Sequence, residues 1–293
     1  MKTSVQTSAL IIIILNSCAA SVASMSEEGY PKTDTYYHPD GTLEEVFCKS
    51  SVPGPEARRT LVYLPEGYDE SGKDYPVLYL LHGANGNETS WIMKGMILRE
   101  IDNLVKKKEM KEAIVVFPNM NQYDDEVDYG YSRAKGPLES FLGPDGTAET
   151  CFIRDVVTTI DGLYRTVPVK EMRAIAGLSM GGMQALHISA SYPDMFGYIG
   201  LFSPFVTPPH QKSEYSDFYH GIRNKLKEQF KNPPYMYWIM IGRMDFFCTH
   251  MDSFSSYLNE HGYPHKYIMT KGGHEWYNWV DYCNRFMKEI FKC

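Results

Sequence analysis

The chain has no excess of basic residues: 29 Lys and Arg stand against 36 Asp and Glu in 293 residues, a formal charge of −7. Holding a polyanion requires clustered Lys and Arg that displace counterions from phosphate, so no nucleic acid partner is expected. Beyond its first two dozen residues the chain also lacks long apolar runs, and its mean hydropathy is −0.35, which excludes a membrane-spanning bundle. It has no internal repeat, no low-complexity tract and no linker rich in Pro, Gly or Ser that would mark a seam between domains. The 6 cysteines show no CxxC spacing and no two histidines have the HExxH spacing of a zinc protease, so no zinc site is expected.

The single long apolar run lies at the start. Lys2 is followed by Ala9, Leu10, Ile11, Ile12, Ile13, Ile14 and Leu15, then by small residues, with Ser21-Val22-Ala23 as a cleavage site. The run is too short for a transmembrane helix, so residues 1–24 read as a signal for export. A second reading uses Leu15-Asn16-Ser17-Cys18, which resembles a bacterial lipobox in which a lipidated Cys18 becomes the first residue, although Asn16 fits that pattern poorly. Either way the expectation is an exported bacterial protein, periplasmic, secreted or lipid-anchored at the outer membrane, with residues 25–293 forming one domain. In an oxidising compartment one cysteine pair could be bridged; Cys283 with Cys293 or with Cys248 are the candidates, and the sequence does not choose between them.

Past a polar stretch around Tyr30 to Gly41, strand-length apolar runs alternate with longer amphipathic ones. The strands expected are Thr60–Leu64, Pro76–Leu81, Ala113–Phe117, Ala174–Gly177, Tyr198–Phe202, Tyr235–Ile241 and His265–Thr270. The helices expected are Trp91–Lys107, Glu149–Tyr164, Gly182–Ser191, Asp217–Phe230, Ser253–Glu260 and Trp276–Phe291. Several strands are apolar at consecutive positions, as suits a mostly parallel sheet covered by helices on both faces, and the fold class is therefore α/β. One segment, Asn119 to Thr147, shows no period and carries Tyr123, Tyr129, Tyr131 and Phe141. It reads as a solvated insertion or as a wall of aromatics around a substrate pocket.

The strongest chemical signal is Gly177-Leu178-Ser179-Met180-Gly181-Gly182, a G-x-S-x-G turn placed after an apolar strand and before a helix. Such a turn holds the serine exposed and strained, and glycines are needed where a Cβ would strike neighbouring backbone. A phosphate loop is the competing use of glycines at a strand-to-helix turn, but the Lys-Ser/Thr pair of a Walker loop is missing. A serine hydroxyl needs a base, and the base needs an acid to orient it. In the order expected after the serine come Asp245, in Ile241-Gly242-Arg243-Met244-Asp245, and His274, in Lys271-Gly272-Gly273-His274-Glu275-Trp276. Both follow strands, on the side where open α/β sheets bind ligands; Asp252 and Glu275 compete with Asp245 for the acid's place.

An oxyanion needs two N–H donors. Met180 follows the serine, and Leu80-Leu81-His82-Gly83-Ala84-Asn85-Gly86 ends an earlier strand in a small-residue turn that could aim the Ala84 N–H at the same point; His82 then serves as a structural partner of that loop. His187, inside the helix after the serine, reads as packed. His38, His210, His220, His250, His261 and His265 lie in polar or loop-like surroundings and read as surface residues.

Together these segments resemble the esterase-D-like branch of the α/β hydrolases, above all the feruloyl and acetylxylan esterases of carbohydrate esterase family 1. The likeness runs from Tyr75-Pro76-Val77-Leu78-Tyr79-Leu80-Leu81-His82-Gly83 through Ala113-Ile114-Val115-Val116-Phe117-Pro118-Asn119 and Arg173-Ala174-Ile175-Ala176-Gly177-Leu178-Ser179-Met180-Gly181-Gly182 to Gly272-Gly273-His274-Glu275-Trp276 and Trp279. The resemblance implies an α/β-hydrolase fold with Ser179 as nucleophile, His274 as base, Asp245 as acid and Ala84 with Met180 as oxyanion donors, working without metal or cofactor. It implies a serine esterase acting on an esterified polysaccharide or oligosaccharide such as arabinoxylan, releasing feruloyl or acetyl groups. A pattern similar to that of short-chain, tributyrin-type esterases is also present in Gly86-Asn87 and Ser90-Trp91, which keeps small acyl esters in view as substrates. A catalytically silent carbohydrate-binding homologue is the rival outside the enzymes, since a fold alone does not establish function.

Overall fold

The computed structural model describes residues 13–14, 37–121, 146–206 and 216–292. Its strands are β1 (Ile13–Ile14), β2 (Thr42–Lys49), β3 (Ala57–Leu64), β4 (Val77–Leu81), β5 (Ile114–Pro118), β6 (Arg173–Leu178), β7 (Tyr198–Phe202), β8 (Met236–Gly242) and β9 (Lys266–Thr270). They form one sheet in the order β1-β2-β3-β5-β4-β6-β7-β8-β9. From β5 to β9 along that order every pairing is parallel, whereas β2 and β3 make an antiparallel hairpin that joins the sheet antiparallel to β5. The helices are α1 (Tyr68–Ser71), α2 (Ser90–Met93), α3 (Ile97–Lys106), α4 (Thr147–Phe152), α5 (Thr158–Leu163), α6 (Met180–Ser191), α7 (Ile222–Gln229), α8 (Cys248–Glu260) and α9 (Trp276–Met287).

The period of two along each strand divides the core into two layers. Val77, Tyr79 and Leu81 of β4 face the layer that holds Ile175, Ile199 and Ile239 together with Phe152 and Ile160, Leu186 of α6, Leu226 of α7 and Phe254 of α8. Leu78 and Leu80 face the other, with Val115, Phe117, Trp91 of α2, Ile101 of α3 and Tyr282 and Phe286 of α9. All five residues of β4, of β5 and of β7 are buried, which is why their sequences run apolar without alternation.

The element boundaries depart from expectation where neighbours decide. Strand β2 has no apolar run because it is a polar-faced partner of β3; Val46 and Cys48 are buried, and their neighbours Phe47 and Lys49 are exposed. The helix expected over Trp91–Lys107 breaks at Met96, which takes φ +49, next to Gly95, where a Cβ would lie 2.7 Å from the Trp91 carbonyl oxygen and 3.2 Å from the Trp276 ring. The helix expected over Asp217–Phe230 is a 3₁₀ turn and α7, separated by Gly221 at φ +68. Helix α8 starts at Cys248 rather than Ser253, and α4 and α5 run together through a π-helical turn over Ile153–Val157.

Cys248 and Cys283 are free thiols rather than a bridged pair. The sheet separates them: Cys283 is buried in the layer under α9, whereas Cys248 packs against the opposite layer. Residues 1–12 and 15–36, Cys18 among them, and Cys293, His210 and the aromatics Tyr123, Tyr129, Tyr131 and Phe141 lie outside the described residues.

Candidate active site

Strand β4 is flanked by β5 on one side and β6 on the other, so the connections leaving β4 and β6 diverge and open a crevice at their carboxyl ends. Ser179 sits there, between β6 and α6, at φ +54 and ψ −116, a backbone region that costs a non-glycine residue about 1–3 kcal/mol. Its neighbours allow no alternative. A Cβ on Gly177 would lie 2.4 Å from the Gly181 carbonyl, and one on Gly181 would lie 2.4 Å from the His82 oxygen and 2.7 Å from that of Leu81. The turn is tied down by the Ser179 N–H, which donates to Phe202 O at 2.8 Å, and by the Ser179 carbonyl, which accepts from the Met183 N–H at 3.1 Å.

His274 Nε2 lies 2.9 Å from Ser179 Oγ, and His274 Nδ1 lies 2.8 Å from Asp245 Oδ2. The three residues come from the loops after β6, β8 and β9. The last two loops are laced together: Met244 N–H donates to Gly272 O at 3.0 Å, and Asn278 Nδ2 of α9 donates to Gly273 O at 2.8 Å. Asp245 is buried. Burial pushes its carboxyl up, but the His274 bond, the Phe247 N–H at 2.9 Å and the Ser203 hydroxyl outweigh that and hold it below its ordinary range. An ionised carboxylate accepts only, so Nδ1 carries the imidazole proton and Nε2 offers its lone pair to the serine hydroxyl.

The competing acids are elsewhere. Asp252 is exposed on α8 and accepts from the Tyr267 hydroxyl at 2.8 Å, while Glu275 turns back to accept from the Gly273 N–H at 3.1 Å.

On the other side of Ser179 runs the loop after β4. A Cβ on Gly83 would meet Ser179 Cβ at 3.5 Å and Leu178 Cδ1 at 2.4 Å, so this loop touches the serine turn. The Gly83 carbonyl accepts from His82 Nδ1 at 2.8 Å and from the Gly86 N–H at 3.1 Å, and His82 Nε2 accepts from the Met120 N–H at 3.0 Å. His82 is therefore a neutral ring that anchors the peptide whose N–H belongs to Ala84. Ala84 itself is exposed. Met180 opens α6, and its N–H is one of the first-turn donors that a helix leaves unpaired. Asn121 Nδ2 donates to Gly86 O at 2.9 Å, and buried Glu88 pairs with Arg59, which also pairs with Glu45.

Sequence reasoning missed the aromatic setting of His274. Its ring lies 4.3 Å, centroid to centroid, from Phe246, 5.4 Å from Phe247 and 4.9 Å from Trp279. The signal was the Phe246-Phe247 pair directly after Asp245. Ser203, buried at φ +47 beside Asp245, carried no signal at all. His187 is packed in α6 as expected, with Nε2 2.8 Å from Val206 O and its ring edge-on to Tyr219.

The Esterase family model matches residues 52–285. Over 176 residues, 58% of this chain, the sequence is 38% identical to an endo-1,4-beta-xylanase/feruloyl esterase of Xylanibacter ruminicola. The match takes in 23% of that protein, and 31% of the Mycobacterium tuberculosis Esterase Rv1288, so the chain spans between about a quarter and a third of these relatives. An acetyl esterase of Caldicellulosiruptor saccharolyticus is 23% identical over 76% of this chain and 85% of its own. Among solved structures, a CE1 ferulic acid esterase from Anaeromyces mucronatus superposes with a TM-score of 0.68 at 23% identity, covering 89% of this chain and 94% of its own. The fold is that of the α/β hydrolases.

Proposed function

The chain belongs to the Esterase family, and on that footing we propose that it is a serine carboxylic-ester hydrolase releasing feruloyl or acetyl groups from plant cell-wall polysaccharide such as arabinoxylan. The observation that carries this reading is the hydrogen-bonded series from Asp245 through His274 to Ser179, set beside the anchored Gly83–Ala84 peptide.

Ser179 Oγ attacks the ester carbonyl while His274 Nε2 takes the hydroxyl proton. The carbonyl oxygen becomes an oxyanion facing the Ala84 and Met180 N–H groups. The bond to the alcohol oxygen breaks, His274 returns the proton to that oxygen, and the acyl group stays on Ser179. A water then gives its proton to His274 and its oxygen to the acyl carbon; the bond from that carbon to Ser179 Oγ breaks, His274 returns the proton to Oγ, and the free acid leaves. Asp245 keeps the imidazole in the right tautomer and offsets the positive charge it carries between the two transfers.

The test is hydrolysis by the wild type and by Ser179→Ala of methyl ferulate, feruloylated arabinoxylan oligosaccharide, acetylated xylan and 4-nitrophenyl butyrate. Serine-dependent ferulate release supports the feruloyl reading. The acetyl esterase likeness, which covers more of both chains, favours acetyl as the second acyl group, and turnover of acetylated xylan alone would select it. Undiminished turnover by Ser179→Ala refutes the mechanism. Failure of every ester together with failure of a fluorophosphonate to label Ser179 favours a silent binding protein.

The apolar leader supports export. A mature protein that starts after Ala23, or at a lipidated Cys18, and is recovered outside the cytoplasm is the expected result; a cytoplasmic protein retaining Met1 refutes it.

A further inference from the structure

Most large apolar side chains of the described residues are buried, yet two in the loop that supplies Asp245 are not. Met244 is 77% exposed and Phe246 66% exposed, on either side of an aspartate that is 4% exposed. The backbone explains the alternation: Asp245 turns inward to His274, and its neighbours must turn outward. It does not explain why those neighbours are large and apolar, since leaving such side chains in water forgoes their burial. Phe246 is also held in place. Its ring lies 4.4 Å from that of Phe247 and 4.3 Å from that of His274, tilted 41° to the imidazole, which leaves its outer side to solvent.

The chemistry of the site says what passes this ring. The acyl carbonyl points to the oxyanion donors, on the side of Ser179 where Gly83 packs, whereas the alcohol oxygen must come within about 3 Å of His274 Nε2 to receive its proton. Whatever is bonded to that oxygen comes alongside the ring that covers His274. On the function proposed above, that group is a pentose, and a sugar ring presents an apolar C–H face that an aromatic surface can shield from water.

We propose that Phe246 forms, with Met244 beside it, a subsite for the sugar of the leaving alcohol, so that it selects carbohydrate esters over simple esters of the same acid. This rests on the esterase reading and adds to it the side from which the carbohydrate is recognised. Phe246 makes no bond to the reacting atoms and acts on the alcohol half of the substrate.

The experiment is the ratio of kcat/KM for feruloylated arabinoxylan oligosaccharide to that for methyl ferulate, in the wild type, Phe246→Ala and Phe246→Tyr; acetylated xylobiose and methyl acetate replace the pair if the wild type prefers acetyl. Phe246→Ala is expected to lower the ratio about tenfold, the lower end of what one apolar contact contributes to discrimination, mainly through KM. Phe246→Tyr, which keeps the ring, is expected to restore it. Parallel losses on both esters would mean that the ring serves His274 or the acyl group, and an unchanged ratio would mean that the sugar passes elsewhere; either result overturns the proposal. A second readout does not depend on turnover: binding of the feruloylated oligosaccharide to Ser179→Ala, with and without Phe246→Ala, followed by calorimetry. Weakening by a similar factor supports the subsite, whereas equal affinity, or no binding to either protein, overturns it. If the wild type hydrolyses no ester, the esterase reading fails by itself and the binding comparison still decides the subsite.

Discussion

Gly181 and Gly162 both lie within helices, and the same substitution at the two positions is expected to have opposite effects. Alanine is favoured over glycine in a helix interior by about 1 kcal/mol, so helix propensity alone predicts that both Gly→Ala variants are stabilised. Around Gly162, on the exposed side of α5, no atom lies within 4 Å of a Cβ placed there, and the expected gain stands. At Gly181 a Cβ would lie 2.4 Å from His82 O and 2.7 Å from Leu81 O. Both are backbone atoms of β4 and its loop, unable to turn aside as a flexible side chain would, so α6 and β4 must move apart. Overpacking of this kind costs about 1–3 kcal/mol and outweighs the propensity gain. Because the propensity gain is common to both, the two variants should differ by the steric cost of about 1–3 kcal/mol, which at roughly 2 °C per kcal/mol for a domain of this size separates their Tm values by about 2–6 °C. The atom struck belongs to the residue that anchors the Ala84 peptide, and a displacement near 1 Å at such a place costs about a hundredfold in kcat. Thermal and urea unfolding of both variants, with ester turnover, is the assay. A Gly181→Ala protein as stable and as active as the wild type would refute the steric account of this turn.

Ser179→Gly should abolish turnover and stabilise the fold by about 1 kcal/mol, because only glycine takes φ +54 and ψ −116 without strain; a lowered Tm would contradict this. Asp245→Asn should lower kcat by two or more orders of magnitude, to judge by the loss known for the corresponding change in a serine-protease triad, with little change in KM in steady-state kinetics. Since the Asp245 carboxyl is held below its ordinary range when folded, its stabilising contribution is complete above the unfolded value and is lost as pH falls through the folded one. Urea titrations at falling pH should show a shallower acid loss in the asparagine variant. His187 is buried in α6 and burial lowers its pKa from 6.5 to about 4. The unfolded chain therefore binds the extra proton first, and stability should fall as pH drops from 6.5 towards 4, by about 3 kcal/mol at 1.4 kcal/mol per unit. His187→Gln should remove that slope, and an unchanged slope would assign it to other groups.

What the sequence determined by itself was whatever is written locally. Strands buried on both faces must be apolar at every position, so β4, β5 and β7 stood out without neighbours to identify them. A strand-to-helix turn with no room for a Cβ must be spelled with glycines, so Ser179 stood out as well. A strand with one face toward solvent has no such requirement, and β2, with Glu44, Glu45 and Lys49, stayed hidden until its partner β3 was in place. The breaks at Met96 and Gly221 were hidden for the same reason, because what ends those helices is packing and backbone direction, not a run of breakers. Asp245 was legible as an acid placed after a strand and between Ser179 and His274 in the chain, but its separation from its competitors belonged to the tertiary structure. Asp245, Asp252 and Glu275 are alike in chemistry, and which of them orients His274 depends on how the loops after β8 and β9 lie against each other. The anchoring of the Ala84 peptide by His82 and the ring of Phe246 over the imidazole were decided there too, since each joins groups that a linear pattern keeps apart and only the sheet order brings within a few ångströms.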